Sequence, residues 1–449
     1  MHLKSYFDKV YFCAGARNES LVDYFESPLE FILDERMASF MALGESKMRK
    51  KIAICTTSGT AALECIPALC EAFYSGLDLT LITADRPREL IDSAAPQTID
   101  QLNPISSFTH QQLSCESLDE VKIVKGVNHI NIHLGSSLGD KDDKYIDNSL
   151  SKTLFLFSHG LDNFSELYDL IHKKTDYFYF EVLSGQSHKN IIKNERELLR
   201  LYKRGSFDSV IRVGHTPLSK LWRLLDETHL PVLHLDPRGF RGLSYGELKT
   251  LDETGIYKYL ESLQITKNEL TQTDYTHTQN LIEKYPQSQF AFIRELANKL
   301  SENSHLYLGN SSLIRDFEVA YHKQANFYGN RGANGIDGQL ASAIGIAKNL
   351  DETLYICLGD LTLEYDLSSL AYLPENCRLI IFNNKGGRIF ERVKANSKII
   401  LAHKRNYQAH ASAYNLSYAH YEKANLQIST SVTELLIDAQ STLNCFKEL

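Results

Sequence analysis

Thr353-Leu354-Tyr355-Ile356-Cys357-Leu358-Gly359-Asp360-Leu361-Thr362 is followed by a second segment of the same build, Arg378-Leu379-Ile380-Ile381-Phe382-Asn383-Asn384-Lys385-Gly386-Gly387. Each begins as an unbroken apolar run and ends in small and polar residues. Short apolar runs of this kind read as strands buried on both faces, as in parallel sheets. In such sheets ligands bind outside the carboxyl ends of the strands. Asp360 and Asn384, 24 positions apart, fall at two such ends. Together they can grip one hard cation. Oxygen donors suit Mg²⁺, which keeps part of its shell for phosphate oxygens. The glycines at 359, 386 and 387 let backbone approach a pyrophosphate closely. Two ordinary strand ends in an α/β sheet are the competing reading.

Outward from these segments the same alternation recurs: short apolar runs between stretches of helical spacing, the pattern of parallel α/β layers. Expected strands of a first block are Val10–Cys13, Glu30–Leu33, Lys51–Cys55 and Leu79–Thr83, with helices over Met37–Met48 and from about Thr60. A second block has Thr153–Phe157, Tyr177–Val182, Ser209–Val213 and Pro231–Leu235. The polar stretch Thr266–Gln289 reads as a linker to a third block, with strands at His305–Leu308 and the two opening segments. The expected domains are 1–150, 151–270 (a trimmed central domain) and 285–449.

The chain has 449 residues, a hydrophobic share of 43 % and a formal net charge of −8. Two or three domains fit that length. No run approaches the roughly 20 apolar residues of a membrane span. The acidic balance argues against nucleic acid as a general partner, because no basic stretch supplies phosphate contacts. Eight scattered cysteines form neither a CxxC pair nor a metal-ligand spacing, and the N-terminus lacks an apolar signal region. A reduced, cytoplasmic setting is the simplest expectation.

Several residues outside the opening segments can carry chemistry. Glu35, in Leu33-Asp34-Glu35-Arg36, sits where a strand end meets a helix start. The helix dipole favours a carboxylate there, although an ordinary first-turn charge would look the same. Thr56-Thr57-Ser58-Gly59-Thr60 opens a helix with amides and hydroxyls that can receive an anion or a polar ring. Arg17, Arg86, Arg315 and Arg331 all lie just beyond expected strand ends. Guanidinium forks bind carboxylates bidentately, so four at such places point to a substrate with several carboxylates. The 16 histidines show no metal pair around a Glu, and there is no G-x-S-x-G elbow and no G-x-G-x-x-G fingerprint.

Five segments taken together resemble one family: Thr57-Ser58-Gly59-Thr60-Ala61, Thr83-Ala84-Asp85-Arg86-Pro87, the run from Asn330-Arg331-Gly332-Ala333 through Asn334-Gly335-Ile336-Asp337-Gly338, Gly359-Asp360-Leu361-Thr362, and Asn383-Asn384 through Ile389-Phe390. They are similar to the MenD family of thiamine diphosphate (ThDP) enzymes, the 2-succinyl-5-enolpyruvyl-6-hydroxy-3-cyclohexene-1-carboxylate (SEPHCHC) synthases of menaquinone (vitamin K2) biosynthesis. The resemblance spans nearly the whole chain and is loosest in the middle block. It implies an α/β three-domain ThDP-binding fold, parallel sheets flanked by helices, with pyrimidine-binding, central and diphosphate-binding domains. It implies a transferase that decarboxylates 2-oxoglutarate and adds the remaining four-carbon unit to isochorismate in a Stetter-like conjugate addition.

The resemblance also assigns roles. Asp360 and Asn384 with the Gly386 carbonyl would hold Mg²⁺, with Mn²⁺ as the alternative metal. Glu35 would be the catalytic carboxylate at the aminopyrimidine N1′. Gln97, Ile336, Gly359, Leu361, Thr362, Gly387 and Ile389 would line the cofactor, with Ile336 wedging it into a bent form. Arg17, Arg86, Ser311, Arg315, Arg331, Phe390 and Val393 would face the substrates. A homodimer or homotetramer is implied, with the active site shared between subunits. Ala16 and Pro96 depart from the family's usual residues, the N-terminal helix is expected to be short or absent, and a central-domain arginine has only Arg212 and Lys220 as candidates. Another ThDP-dependent 2-oxoacid decarboxylase or carboligase, or a ThDP-fold protein without catalysis, are the alternative readings.

Overall fold

The computed structural model describes residues 3–91, 93–119, 121–135, 150–192, 195–218, 221–228, 230–242, 246–265, 267, 270, 276–393 and 395–449. Within them lie three sheets, in which every paired strand is parallel. The first comprises β1 (Lys9–Phe12), β2 (Leu29–Phe31), β3 (Ile52–Thr56), β4 (Leu79–Asp85), β5 (Gln111–Cys115) and β6 (Val127–His133), in the order β2-β1-β3-β4-β6-β5. The second comprises β7 (Thr153–Phe157), β8 (Phe178–Phe180), β9 (Ser209–Val213), β10 (Val232–Leu235) and β11 (Glu247–Lys249), in the order β11-β10-β9-β7-β8. The third comprises β12 (Ser304–Leu308), β13 (Ala325–Tyr328), β14 (Leu354–Gly359), β15 (Cys377–Asn383), β16 (Tyr418–Tyr421) and β17 (Val432–Leu436), in the order β13-β12-β14-β15-β17-β16. The first and third sheets therefore share one strand order, a kinship the sequence does not display.

The chain groups into two compact units. One holds Met1–Ser137 with Arg331–Asp337 and Gly386–His403; the other holds Leu138–Asn330, Gly338–Lys385 and Lys404–Leu449. In the first unit the residues of β1 alternate between two cores, as a pleated strand requires. Val10 and Phe12 join Phe7, Val22, Ile82 and Ile399 on one face. Tyr11 and Cys13 join Ala38, Leu43, Ile54 and Leu69 on the other. In the second unit β14 and β15 alternate in the same way. Cys357, Ile380 and Phe382 face one core, and Ile356, Leu358, Leu379 and Ile381 the other. Val182 and Leu218, from the segments after β8 and β9, also enter the core around Phe290 and Phe317.

The expected strands and helices form with small shifts of boundary. The helix at Glu35–Lys47 is capped by Asp34, whose Oδ1 accepts from Met37 N. The helix from Thr60 breaks after Glu64 and restarts at Ile66–Tyr74 with Pro67 in its first turn, where a proline is tolerated. The linker reading needs correction: Thr276–Lys284 is helical, and Ser288 caps the helix Gln289–Lys299. Leu281 and Ile282 are buried on its apolar side, a short stripe hidden among polar residues. Strand β6, Val-Asn-His-Ile-Asn-Ile-His, reads as polar yet is wholly buried. Its Asn and His side chains are satisfied by hydrogen bonds rather than by water.

Candidate active site

In the first sheet the chain leaves β1 for β2 on one side and returns to β3 on the other. The crevice at this switch lies between the segments after β1 and β3, the expected place for a ligand. The two segments touch so closely that a Cβ on Gly15 would come within 2.5 Å of Thr57. The hydroxyls of Thr56, Thr57 and Ser58 are buried and, among the described residues, have no hydrogen-bond partner. Burying a hydroxyl without a partner costs free energy, and unpaired donors beside a crevice are what a polar ligand would satisfy. Glu35, at the first helical position after β2, is 5 % exposed. It lies near Cys13 and Cys65, whose thiols are held well above their ordinary range by burial and then by the Glu35 charge.

A buried polar relay fixes the turns on either side of this crevice. Gln101 Oε1 accepts from Gly59 N at 3.2 Å, and its Nε2 donates to Asn131 Oδ1 at 2.5 Å. Asn131 Nδ2 donates to Asp85 Oδ2 at 2.9 Å, and Asp85 Oδ1 accepts from Arg86 N at 2.7 Å. Burial raises the Asp85 carboxyl above its usual range, against the pull of the Asn131 and Arg86 donors. The Arg86 guanidinium donates through Nε (2.9 Å) and Nη2 (2.6 Å) to the Pro96 carbonyl. It thereby braces the turn in which Gln97 takes a left-handed φ of 59°. Arg17 is half-buried with its Nε fully enclosed, and its charge acts on Asp85.

The run Arg331–Asp337 belongs to this same unit. Thr60 Oγ1 donates to Asp337 Oδ1 at 2.8 Å, which seats the run on the turn after β3. A Cβ on Gly335 would lie 2.5 Å from that hydroxyl, so only glycine permits the approach. Arg331 is buried, Ile336 is half-buried, and the Asn334 amide oxygen is enclosed without a hydrogen-bond partner among the described residues. Gly386, Gly387, Ile389, Phe390 and Val393 also group here. Gly386 has a φ of 134°, its carbonyl accepts from Arg388 N, and Gly387 N donates to Ile400 O. Phe390 packs against the core of the first sheet, Ile389 is half-buried, and Val393 is exposed.

In the second unit, Asp360 opens the short helix Asp360–Glu364 directly after β14, with Gly359 before it. Asp360 is 3 % exposed, and its Oδ1 accepts from Leu361 N at 2.8 Å. Thr362 is buried, and Tyr407 OH donates to the Asp360 carbonyl at 3.3 Å. Asn384 follows β15, with its Oδ1 buried. Ser311, after β12, has a left-handed φ of 74°, and its carbonyl accepts from Arg315 Nη1 at 2.5 Å. The donor set fits a hard divalent cation, since a carboxylate and an enclosed amide oxygen are both hard oxygen ligands. Among the described residues no cluster of three or more His, Cys, Asp or Glu could hold a metal.

Of the two sequence-based candidates for a central-domain substrate contact, one falls within the described residues, and its guanidinium is held by internal partners. Arg212 is fully buried: Nε donates to His234 Nδ1, Nη1 to Gly214 O and Nη2 to Phe240 O, beside Asp236. Its charge is spent inside the second sheet. Lys220 lies outside the described residues. Conversely, sequence reading passed over Gln101, Asn131, Glu434 and Tyr407, and gave Asp337 and Asn383, which lie in the quoted family segments, no role of their own. They have partners distant in the chain, and the one signal was a polar residue inside a mostly apolar strand, as at Glu434.

Residues 3–103 match the family model of the thiamine pyrophosphate enzyme N-terminal TPP binding domain. Among solved structures, benzoylformate decarboxylase from Polynucleobacter necessarius matches with a TM-score of 0.50 at 12 % identity, over 96 % of both chains, which bears on the fold alone. A 2-succinyl-5-enolpyruvyl-6-hydroxy-3-cyclohexene-1-carboxylate synthase from Bdellovibrio bacteriovorus is 28 % identical over 90 % of this chain and 87 % of its own. The synthase of the same name from Staphylococcus epidermidis (strain RP62A) is 30 % identical over 80 % of this chain and 75 % of its own. One from Oceanobacillus iheyensis is 30 % identical over 80 % and 76 %. With the ThDP-type fold and this arrangement of residues at its strand ends, the chain belongs to the MenD family of 2-succinyl-5-enolpyruvyl-6-hydroxy-3-cyclohexene-1-carboxylate synthases.

Proposed function

We propose that this protein is a ThDP- and Mg²⁺-dependent SEPHCHC synthase of menaquinone biosynthesis, acting on 2-oxoglutarate and isochorismate. Family membership carries the reading, and the buried Glu35 after β2 and Asp360 after β14 support it. Bound thiamine diphosphate would supply the nucleophilic thiazolium carbon at which a 2-oxo acid loses CO₂. Glu35 would hold a proton at the pyrimidine N1′, helped by a site that excludes water. Asp360, Asn384 and the Gly386 carbonyl would hold the metal against the diphosphate. Ile336 would support the bent cofactor, with Gln97, Gly359, Leu361, Thr362, Gly387 and Ile389 along it. Arg17, Arg86, Arg331, Ser311 and Arg315 would hold the substrate carboxylates, and Phe390 and Val393 would wall the acceptor.

The domains 1–150, 151–270 and 285–449 would take the pyrimidine-binding, central and diphosphate-binding roles. Each sheet lies within one of these stretches. The active unit would be a dimer or tetramer, with Glu35 of one subunit serving the clamp of another. Supporting this, the helix that starts at Glu35 exposes Met37 (50 %), Phe40 (44 %) and Met41 (37 %), with Met48 (76 %) just beyond. These positions follow helical spacing, and an apolar stripe of this kind marks an interaction surface. The reaction would run in the cytoplasm. All eight cysteines are unpaired, and among the described residues no helix is long and apolar enough to cross a membrane.

The test is to supply 2-oxoglutarate, isochorismate, ThDP and Mg²⁺ and follow loss of isochorismate with product mass. Consumption of both substrates supports the reading. Turnover of pyruvate but not of 2-oxoglutarate would replace it with another carboligase.

A further inference from the structure

We propose that Glu434 is a positioning residue for the metal clamp: it holds Asn383, and through it the turn that presents Asn384. The inference rests on reading Asp360 and Asn384 as that clamp. Glu434 lies in the middle of β17 and is 5 % exposed. A carboxylate inside a sheet carries a desolvation cost that packing alone does not offset. Both of its oxygens are engaged. Asn383 Nδ2 donates to Oε1 at 2.6 Å, and Tyr418 OH donates to Oε2. The Asn383 side chain thus keeps its Oδ1 turned to Lys385 N, at 3.0 Å. Lys385 is held at a φ of 62°, a left-handed conformation a lysine rarely adopts. Asn384 sits inside this stapled turn.

The first sheet repeats the device with different residues. Asn131 on β6 holds Asp85, the last residue of β4, and Asp85 holds the amide of Arg86. Asp85 pairs with His133 in the β4–β6 register, and Asn383 pairs with Leu436 in the β15–β17 register. The bracing residues, Asn131 and Glu434, each lie two positions before that partner. In both sheets the braced strand occupies the same place in the strand order and delivers a candidate functional residue, Arg86 or Asn384, at the next position. One pair is Asn–Asp and the other Glu–Asn, so the geometry recurs while the chemistry does not. That recurrence argues for positioning rather than for satisfaction of Tyr418 alone.

The test is calorimetric titration of Mg²⁺ into the full-length protein with ThDP present, alongside steady-state kinetics. Glu434→Ala and Asn383→Ala should weaken Mg²⁺ binding by about 10- to 100-fold, as loss of outer-shell support does. The KM for 2-oxoglutarate should stay within about twofold, because substrate binding is not what the brace serves. Glu434→Gln keeps an oxygen facing Asn383 and should lie within about threefold of wild type. Wild-type Mg²⁺ affinity in either alanine variant, or an equal loss in Glu434→Gln, would overturn the proposal. If Glu434→Ala does not fold by circular dichroism, Asn383→Ala decides by the same outcomes. Loss of the fold in both would make the pair a folding element and also overturn it. A wild-type protein whose ThDP binding ignores Mg²⁺ would instead sink the clamp reading itself.

Discussion

Thr60 and Asp337, 277 positions apart in sequence, share a 2.8 Å hydrogen bond. Thr60 opens the helix after β3, and Asp337 lies near the end of the Asn330–Gly338 run. The bond makes that run a structural part of the first unit, although it is encoded in the third block. Replacing Thr60 by Val keeps the shape and removes the donor, leaving Asp337 without it. Both partners are half-buried, so the loss is that of one ordinary hydrogen bond, about 0.5–1.5 kcal/mol. The expected outcome is a lower melting temperature, with a raised KM for ThDP. Unchanged values for both would mean the contact is incidental.

Glu35→Gln removes the carboxylate proposed to hold the proton without changing its size. Turnover should fall by at least about 10² to 10⁴, the range for a general acid–base group, with ThDP still bound in calorimetry. Wild-type turnover in this variant would remove Glu35 from the chemistry.

Much of this architecture was legible in the sequence because buried parallel strands write themselves as apolar runs. β14 and β15 were readable for that reason, and Asp360 and Asn384 were placed by the glycines and polar residues that end those runs. β6 was not readable, since Asn128, His129, Asn131 and His133 mimic a loop. They are buried because hydrogen bonds satisfy them: Asn128 pairs with backbone of Val124 and Gly126, and the other three with Gln112, Thr83, Gln101, Asp85 and Ser114, several of which lie far off in the chain. The helix Thr276–Lys284 was hidden for the converse reason, its buried stripe being too short to show a period. Arg86 was singled out by position, but its bracing of Pro96 depends on a carbonyl that no motif announces.

Arg86 therefore has a structural duty beside any substrate contact. Arg86→Lys keeps the charge but cannot give the paired donation to Pro96 O, because an ammonium lacks the planar fork. The expected result is a fall in kcat as well as a rise in KM, since the Gln97 turn loosens. A change confined to KM would restrict Arg86 to substrate binding.

Glu318 gives a pH signature. Its carboxylate oxygen Oε1 is enclosed, Oε2 accepts from Val182 N, and burial followed by the nearby Glu181 charge raises its pKa from 4.5 to about 8. The folded state keeps this proton where the unfolded chain has lost it. Stability from this group is thus full below about pH 4.5 and is lost as pH rises toward about 8. Glu318→Gln should flatten that window by roughly one proton's worth of slope in urea melts across the range. An unchanged slope would show that Glu318 is ionised in the fold.

The most direct measurement follows carbon through the reaction. With 2-oxoglutarate labelled at C1, the carboxyl beside the keto group, together with ThDP and Mg²⁺, labelled CO₂ release should depend on isochorismate and match, mole for mole, an unlabelled adduct that retains the enolpyruvyl group. Release of CO₂ with no adduct, or an adduct formed only from a different 2-oxo acid, would contradict the assignment.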